Sequence, residues 1–277
     1  MRKQFFFQSG QKKLFGSLHL PERCQLDFGI IFLHPFAEEK VISHKALVNL
    51  AESLQRENIA SFRFDFIGNG DSEGDFQEFT IGKALENLQD AMTIFKTETG
   101  IDIQRIALLG LRMGGTISLI AGARMLDVEN VIAISPIIDG SSYFNMLLRS
   151  HLAYQMSTYK KIRKNREMLI DELERNILLN IDGYLISRSL YKQLTAINLF
   201  NIEPDNLKYV ALIGLLGENK KQLDELLKLD NLLRSKNVIS ETTYVKDNSV
   251  WKASGVYDMS LENTTNCILK WIDKFFR

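Results

Sequence analysis

The sequence predicts an α/β fold, with a mostly parallel sheet, helices on both faces and a helical insertion. Three observations predict it. Short, continuously apolar runs such as Phe28-Gly29-Ile30-Ile31-Phe32-Leu33 and Ile106-Ala107-Leu108-Leu109 read as strands buried on both faces. Amphipathic stretches at helical spacing separate these runs, which is the rhythm of strand–helix–strand units in a parallel sheet. The rhythm breaks only between about 138 and 203, where the pattern is helical and no strand is evident.

In order along the chain, residues 4–20 read as two short strands joined by Ser9-Gly10-Gln11-Lys12. The run at 28–33 ends at His34-Pro35. Ala46, Leu47, Leu50, Ala51 and Leu54 mark a helix over 44–57 that starts near 42. Ile59 to Phe64 is the next strand and enters the glycine-rich loop Asp65 to Gly74. A helix over 80–97, a strand over 105–110 and a strand over 131–135 follow. After the insertion come a strand from Tyr209, a helix near 220–235, a strand near 239–246 and a final helix over 260–276. The sheet-and-helix core therefore comprises 1–137 and 204–277, and 138–203 forms the cap.

Composition excludes several function classes. The 277 residues carry 34 Lys+Arg against 34 Asp+Glu, so no net charge steers the molecule to nucleic acid or to an acidic surface. Cys24 and Cys267 lack metal-ligand spacing and suit a reducing compartment. No run reaches the roughly 18 apolar residues of a membrane span, and the charged start lacks a signal-peptide core. A cytoplasmic protein is expected, with no cofactor and no metal. Few prolines with abundant Lys, Asn and Ile suit an AT-rich bacterial coding sequence.

Ligands of open α/β sheets bind beyond the carboxyl ends of the strands. The most specific motif there is Gly110-Leu111-Arg112-Met113-Gly114, a strand, a glycine-flanked turn and a helix. This is the setting of a nucleophile elbow, yet its middle residue is Arg112, whose protonated guanidinium cannot attack a carbonyl. The strand near 209–216 is followed by Gly217-Glu218-Asn219-Lys220, in which only Glu218 could act as the acid. The last strand is followed by Lys246 to Lys252 without histidine, and no histidine follows His151. A Ser-His-Asp triad cannot be assembled from these loops.

Other residues could be recruited. His34 is the best-placed base, with Glu38 or Glu39 beside it. The bland alternatives are a hydrogen-bonded loop histidine and carboxylates that favour a helix start. Arg112, with the amides of Met113 and Gly114, makes a positive spot suited to a carboxylate or phosphate; equally, it could form an internal pair with Glu38 or Glu39. Ser135 stands at a strand end before Pro136. The loop Asp65 to Gly74 fits a brace of neighbouring strands better than a nucleotide fingerprint. The basic run Lys160 to Arg166 reads either as a solvated helix face or as a contact for an anionic or acyl-carrier partner.

His34-Pro35-Phe36-Ala37-Glu38-Glu39, the loop Asp65 to Gly74, and Gly-Leu-Arg-Met-Gly together resemble the α/β-hydrolases known as exosortase A system-associated hydrolase 2, whose wider kin are the serine aminopeptidase (S33)-like and acyl-esterase hydrolases. Pro136 to Gly140, Asp182 to Leu185 and Trp251 extend the likeness over most of the chain. The resemblance implies an α/β-hydrolase fold with a helical cap, and a hydrolase or acyl-handling role near biosynthetic gene clusters. It maps Arg112, Met113 and Phe36 onto the nucleophile and the two oxyanion amides. The expected ligand is a small acidic or acyl-bearing molecule, held by Phe36, Arg112, Met113, Asp139 and Trp251. The rivals are an esterase, thioesterase or lyase using His34 with Glu38 or Glu39, and a scaffold that docks a carrier or partner protein through the cap.

Overall fold

The computed structural model describes all residues except 23–25, 126, 162–163, 216–219 and 253–259. Its main sheet contains β1 (Arg2–Ser9), β2 (Lys12–His19), β3 (Gly29–Leu33), β4 (Ala60–Phe64), β5 (Ile106–Leu111), β6 (Asn130–Ile134), β9 (Tyr209–Leu215) and β10 (Ile239–Val245). Their spatial order is β1-β2-β4-β3-β5-β6-β9-β10. β2 runs antiparallel to β1 and β4, and every other neighbouring pair is parallel.

The alternation of side chains along each strand separates two cores. Ile30 and Phe32 of β3 face α1 (Glu38–Arg56) and α8 (Glu262–Phe276), whereas Ile31 and Leu33 face α2 (Ile81–Thr99) and α3 (Met113–Arg124). Helix α7 (Lys220–Ser235) packs Leu226, Leu229 and Leu233 on that second side. Because both faces are covered, the central strands can be apolar throughout; β3, β5 and β6 are buried at every position.

The chain leaves β3 toward β4 and then returns to β5 on the opposite flank of β3. This reversal opens a crevice beyond the carboxyl ends of β3 and β5, the place where such sheets hold ligands. The expected strands and helices all occur, with one early boundary. Helix α1 begins at Glu38, a turn ahead of the expected start near 42. Ala37 ends the preceding loop abruptly at φ 49°, ψ −127°, which puts both carboxylates in the first helical turn.

The segment between β6 and β9 holds α4 (Gly140–Tyr159), α5 (Arg166–Glu174) and α6 (Arg188–Thr195). It also contains a hairpin of β7 (Leu179–Ile181) and β8 (Tyr184–Ile186), so the expectation of a strandless insertion is corrected. The signal was present as Asp182-Gly183. Both residues take positive φ (51° and 96°), as a two-residue hairpin turn of this kind requires. Three-residue strands are too short to show an alternating pattern.

The loop Asp65 to Gly74 braces neighbouring strands. Glu73 N–H donates to the Lys13 carbonyl (2.9 Å), Phe15 N–H donates to Ser72 Oγ (2.9 Å), and Asp65 pairs with Lys40 (2.9 Å). The basic run is also engaged locally: Lys164 pairs with Glu172 (2.6 Å) and Arg166 donates to Asn145 (2.8 Å), while 162–163 lie outside the described residues. No described helix is long and apolar enough to cross a membrane.

Candidate functional site

Arg112 occupies the corner between β5 and α3, at φ 56°, ψ −120°. Glycines allow the corner to be this tight. A Cβ on Gly114 would lie 2.0 Å from the Leu33 carbonyl oxygen, and one on Gly110 would lie 2.2 Å from the Gly114 backbone. The backbone of Arg112 is tied on both sides: its N–H donates to Ile134 O (2.9 Å) and its C=O accepts from Thr116 N–H (3.1 Å). Two further non-glycine residues with positive φ flank it, Ala37 beyond β3 and Ser135 (φ 46°) beyond β6. Each costs on the order of 1–3 kcal/mol and persists only where the surroundings over-determine it. Strain is thus gathered at three neighbouring strand ends.

The guanidinium is buried, with 5% of the residue exposed. Nη1 donates to the Ser135 carbonyl (3.2 Å), while Nε and Nη2 both reach Glu39 Oε1 (3.4 Å). The Trp251 ring stacks against it at 4.9 Å, and Tyr143 of α4 lies at 6.0 Å. Of the two carboxylates expected as its partner, the structure selects Glu39. Glu38 is exposed and accepts from the Tyr184 hydroxyl of β8 (3.2 Å), tying α1 to the inserted segment.

Burial pushes the Glu39 carboxyl above its ordinary pKa, and the charge and hydrogen bonds of Arg112 pull the other way. The Tyr143 hydroxyl lies beside this carboxylate but makes no well-formed hydrogen bond to it. Burial, then the Glu39 charge, holds the phenol well above its usual range. Among the described residues, Glu39 Oε2, Tyr143 Oη and Ser135 Oγ are buried without a hydrogen-bond partner. Such unsatisfied atoms are uncommon in folded proteins, and here three surround one guanidinium.

A cavity of about 360 Å³ opens beside this group. Arg112, Ser135, Ile138 and Tyr143 line it, together with the exposed cations Arg149 and Lys221. Lys221 is loosely paired with Glu225 (3.6 Å).

Several expected site residues also make structural contacts. Both ring nitrogens of buried His34 are spent on backbone: Nδ1 donates to the Pro35 carbonyl (2.7 Å), so Nε2 accepts from Phe66 N–H (3.3 Å). Burial, reinforced by the Lys40 charge, lowers its pKa to about 4. His34 does not line the cavity. In this arrangement the His34 ring is a hydrogen-bonded loop brace, the alternative to its expected role as a base. Phe36 packs among Phe76, Phe79 and Tyr143, Met113 is buried in the core, and Trp251 stacks on Arg112; none of the three lines the cavity. Asp139 lines the cavity, but its carboxylate caps α4 by accepting from Ser142 N–H (2.5 Å). Glu218 and Cys24 lie outside the described residues.

Sequence reasoning missed two residues. Tyr143 looks like one more apolar position of α4. Asp247 reads as loop, yet its carboxylate accepts four hydrogen bonds from Asn263 and Thr264 (2.6–3.2 Å) and anchors the start of α8. No local pattern links residues so far apart in sequence.

Residues 30–183, more than half of the chain, match the family model described as serine aminopeptidase, S33. The chain belongs to this family. The chain is 33% identical over 96 residues to the polyketide transferase grgF of Penicillium sp, a match covering 34% of this chain and 33% of that protein. It is 30% identical over 130 residues to the thiohydrolase aneE of Aspergillus aculeatus, covering 47% and 39%. The chain thus spans well under half the length of these curated relatives. The α/β hydrolase GrgF from Penicillium sp. sh18 superposes with a TM-score of 0.66 at 19% identity, covering 100% of this chain and 99% of that one. Est1E from Butyrivibrio proteoclasticus, solved with ferulic acid, gives 0.70 at 17% identity with 98% of each chain covered. These likenesses establish the α/β-hydrolase fold.

The arrangement presents a fixed, desolvated cation at the corner where the S33 fold turns from strand to helix. A guanidinium there can hold a carboxylate or a developing oxyanion with two parallel hydrogen bonds. It cannot form a covalent acyl intermediate. Among the described residues, no group of three or more His, Cys, Asp or Glu could hold a metal ion.

Proposed function

We propose that this S33-family protein is a non-hydrolytic member that binds a small acidic or acyl-bearing molecule in the cavity beside Arg112, beneath the 138–203 segment acting as a cap. The observation that carries the reading is the buried Arg112 guanidinium in the seat of a nucleophile, held by Ser135, Glu39 and Trp251 at the edge of a 360 Å³ cavity. A ligand carboxylate would compete with Glu39, whose contacts at 3.4 Å are long for a charge-assisted hydrogen bond. The apolar contacts of Ile138 and Leu226 suit an acyl chain behind that head. A polyketide transferase and a thiohydrolase among the relatives make acyl chains the class to test first.

The test titrates linear fatty acids and the matching alcohols while following the fluorescence of Trp251, one of two tryptophans. The acids bind and the alcohols do not. Arg112→Gln abolishes acid binding while circular dichroism stays unchanged, and no aryl ester is turned over above background. Unchanged affinity in Arg112→Gln refutes the reading.

A further inference from the structure

We propose a second anion site, on the α1 face of the sheet at its antiparallel edge, that takes a phosphate group. Cross-strand register defines it. Arg2 pairs with His19, Ser17 with Arg63, and His19 with Ser61, and directly paired residues share one face. Phe32 and Ile30, the neighbours of Arg63 and Ser61 on β3, point to α1, so this is the α1 face. The sheet therefore changes from apolar at β3 to polar at β4, β2 and β1.

That polar surface is buried at its centre and open at its β1 edge. Ser17, His19 and Ser61 are buried, Arg63 is partly so, and Arg2 is exposed. It is also short of partners. His19 Nδ1, Ser61 Oγ and Arg63 Nε are buried without a hydrogen bond, among the described residues. The Arg2 charge acts on Arg63 here, and among the described residues no carboxylate is in ion-pair contact with either. Arg2 donates only to Ser17 Oγ (3.1 Å), and Arg63 has no hydrogen bond or ion pair among the described residues. Burial and then the Arg2 charge push Arg63 down to about 10; burial and then the two arginines push His19 to about 4, leaving it neutral.

The carboxylates nearby form no ion pair with either arginine among the described residues. Asp65 is taken by Lys40 (2.9 Å), Asp71 is exposed, and Glu52 acts on Arg63 without an ion pair. A cavity of about 160 Å³ is lined by Arg2, Ser17, Arg63 and Lys40 together with Asp65 and Asp71. The larger, open cavity beside it, which Arg2 and His19 also border, carries the carboxylates Glu22, Asp27, Glu52 and Glu57 and is not part of the site. Two guanidinium forks arriving from different strands call for an acceptor with several oxygens and more than one negative charge, which a phosphate group supplies and a carboxylate does not. The site is separate from Arg112, which lines neither cavity.

The experiment measures thermal stability and calorimetric binding with inorganic phosphate, against chloride at equal ionic strength. The wild-type melting temperature rises saturably with phosphate and not with chloride. Arg63→Met melts higher than wild type without phosphate, because a partly buried cation without an ion pair has gone, and it loses the phosphate response. A merely structural arginine would show the reverse. Arg2→Gln weakens phosphate binding at least about tenfold, the loss expected for one charge-assisted hydrogen bond. Arg112→Gln keeps the full response, which separates this site from the first. Equal effects of phosphate and chloride, or undiminished binding in Arg2→Gln and Arg63→Met, overturn the proposal; if Arg63→Met does not fold, Arg2→Gln alone decides.

Discussion

Replacing Arg112 by methionine tests whether the Arg112–Glu39 pair is held against a desolvation cost. Methionine keeps most of the side-chain volume and the contact with Trp251 but removes the charge. Removing one partner of a buried pair typically costs about 3–5 kcal/mol, because the other charge is left without compensation. The low end applies here, since the Glu39 side chain is 15% exposed and the contacts are 3.4 Å long. A loss of about 3 kcal/mol corresponds to a fall of roughly 6–12 °C in Tm for a domain of this size.

The sign of the pH dependence follows from Glu39. Burial already raises its folded pKa, and without Arg112 it rises further. A carboxyl raised in the folded state binds more protons folded than unfolded. Its favourable contribution is full below the unfolded value and is lost as pH rises through the folded one. Arg112→Met should therefore approach wild-type stability in acid and diverge from it toward neutral pH. Urea melts across that range measure the difference, and Glu39→Gln on the Arg112→Met background should recover most of the neutral-pH loss. A penalty that is the same at every pH, or no recovery in the double variant, would refute the reasoning.

Two further outcomes are expected. His34 sits at about 4 in the folded state against an ordinary 6.5, so stability is complete above 6.5 and declines by about 3 kcal/mol as pH falls from there to 4. His34→Gln should flatten that part of the profile in urea melts, and an unaltered slope would contradict the buried neutral ring. Asp247→Ala removes four hydrogen bonds at the start of α8 and should cost about 2–3 kcal/mol. Loss of hydrogen-exchange protection should centre on α8, whereas uniform loss would mean that the helix is anchored by packing alone.

The succession of strands and helices in the sheet-and-helix core and the residue at the β5–α3 corner were legible in the amino-acid sequence, whereas the β7–β8 hairpin was not. Apolar runs bounded by turn residues have few alternatives to buried strands, and Gly110 and Gly114 mark a close backbone approach whatever the rest of the chain does. Such features are local, and local patterns survive in one dimension. The choice between Glu38 and Glu39 needed the folded chain, because one residue along a helix turns a side chain by about 100° and thereby exchanges solvent for core. The same holds for His34, whose lone pair went to Phe66 thirty-two residues away, for Asp247 beneath α8, and for the two arginines that register brought together across β1, β2 and β4. In each case hydrogen bonding or charge between distant segments sets the role, and no spacing along the chain encodes it.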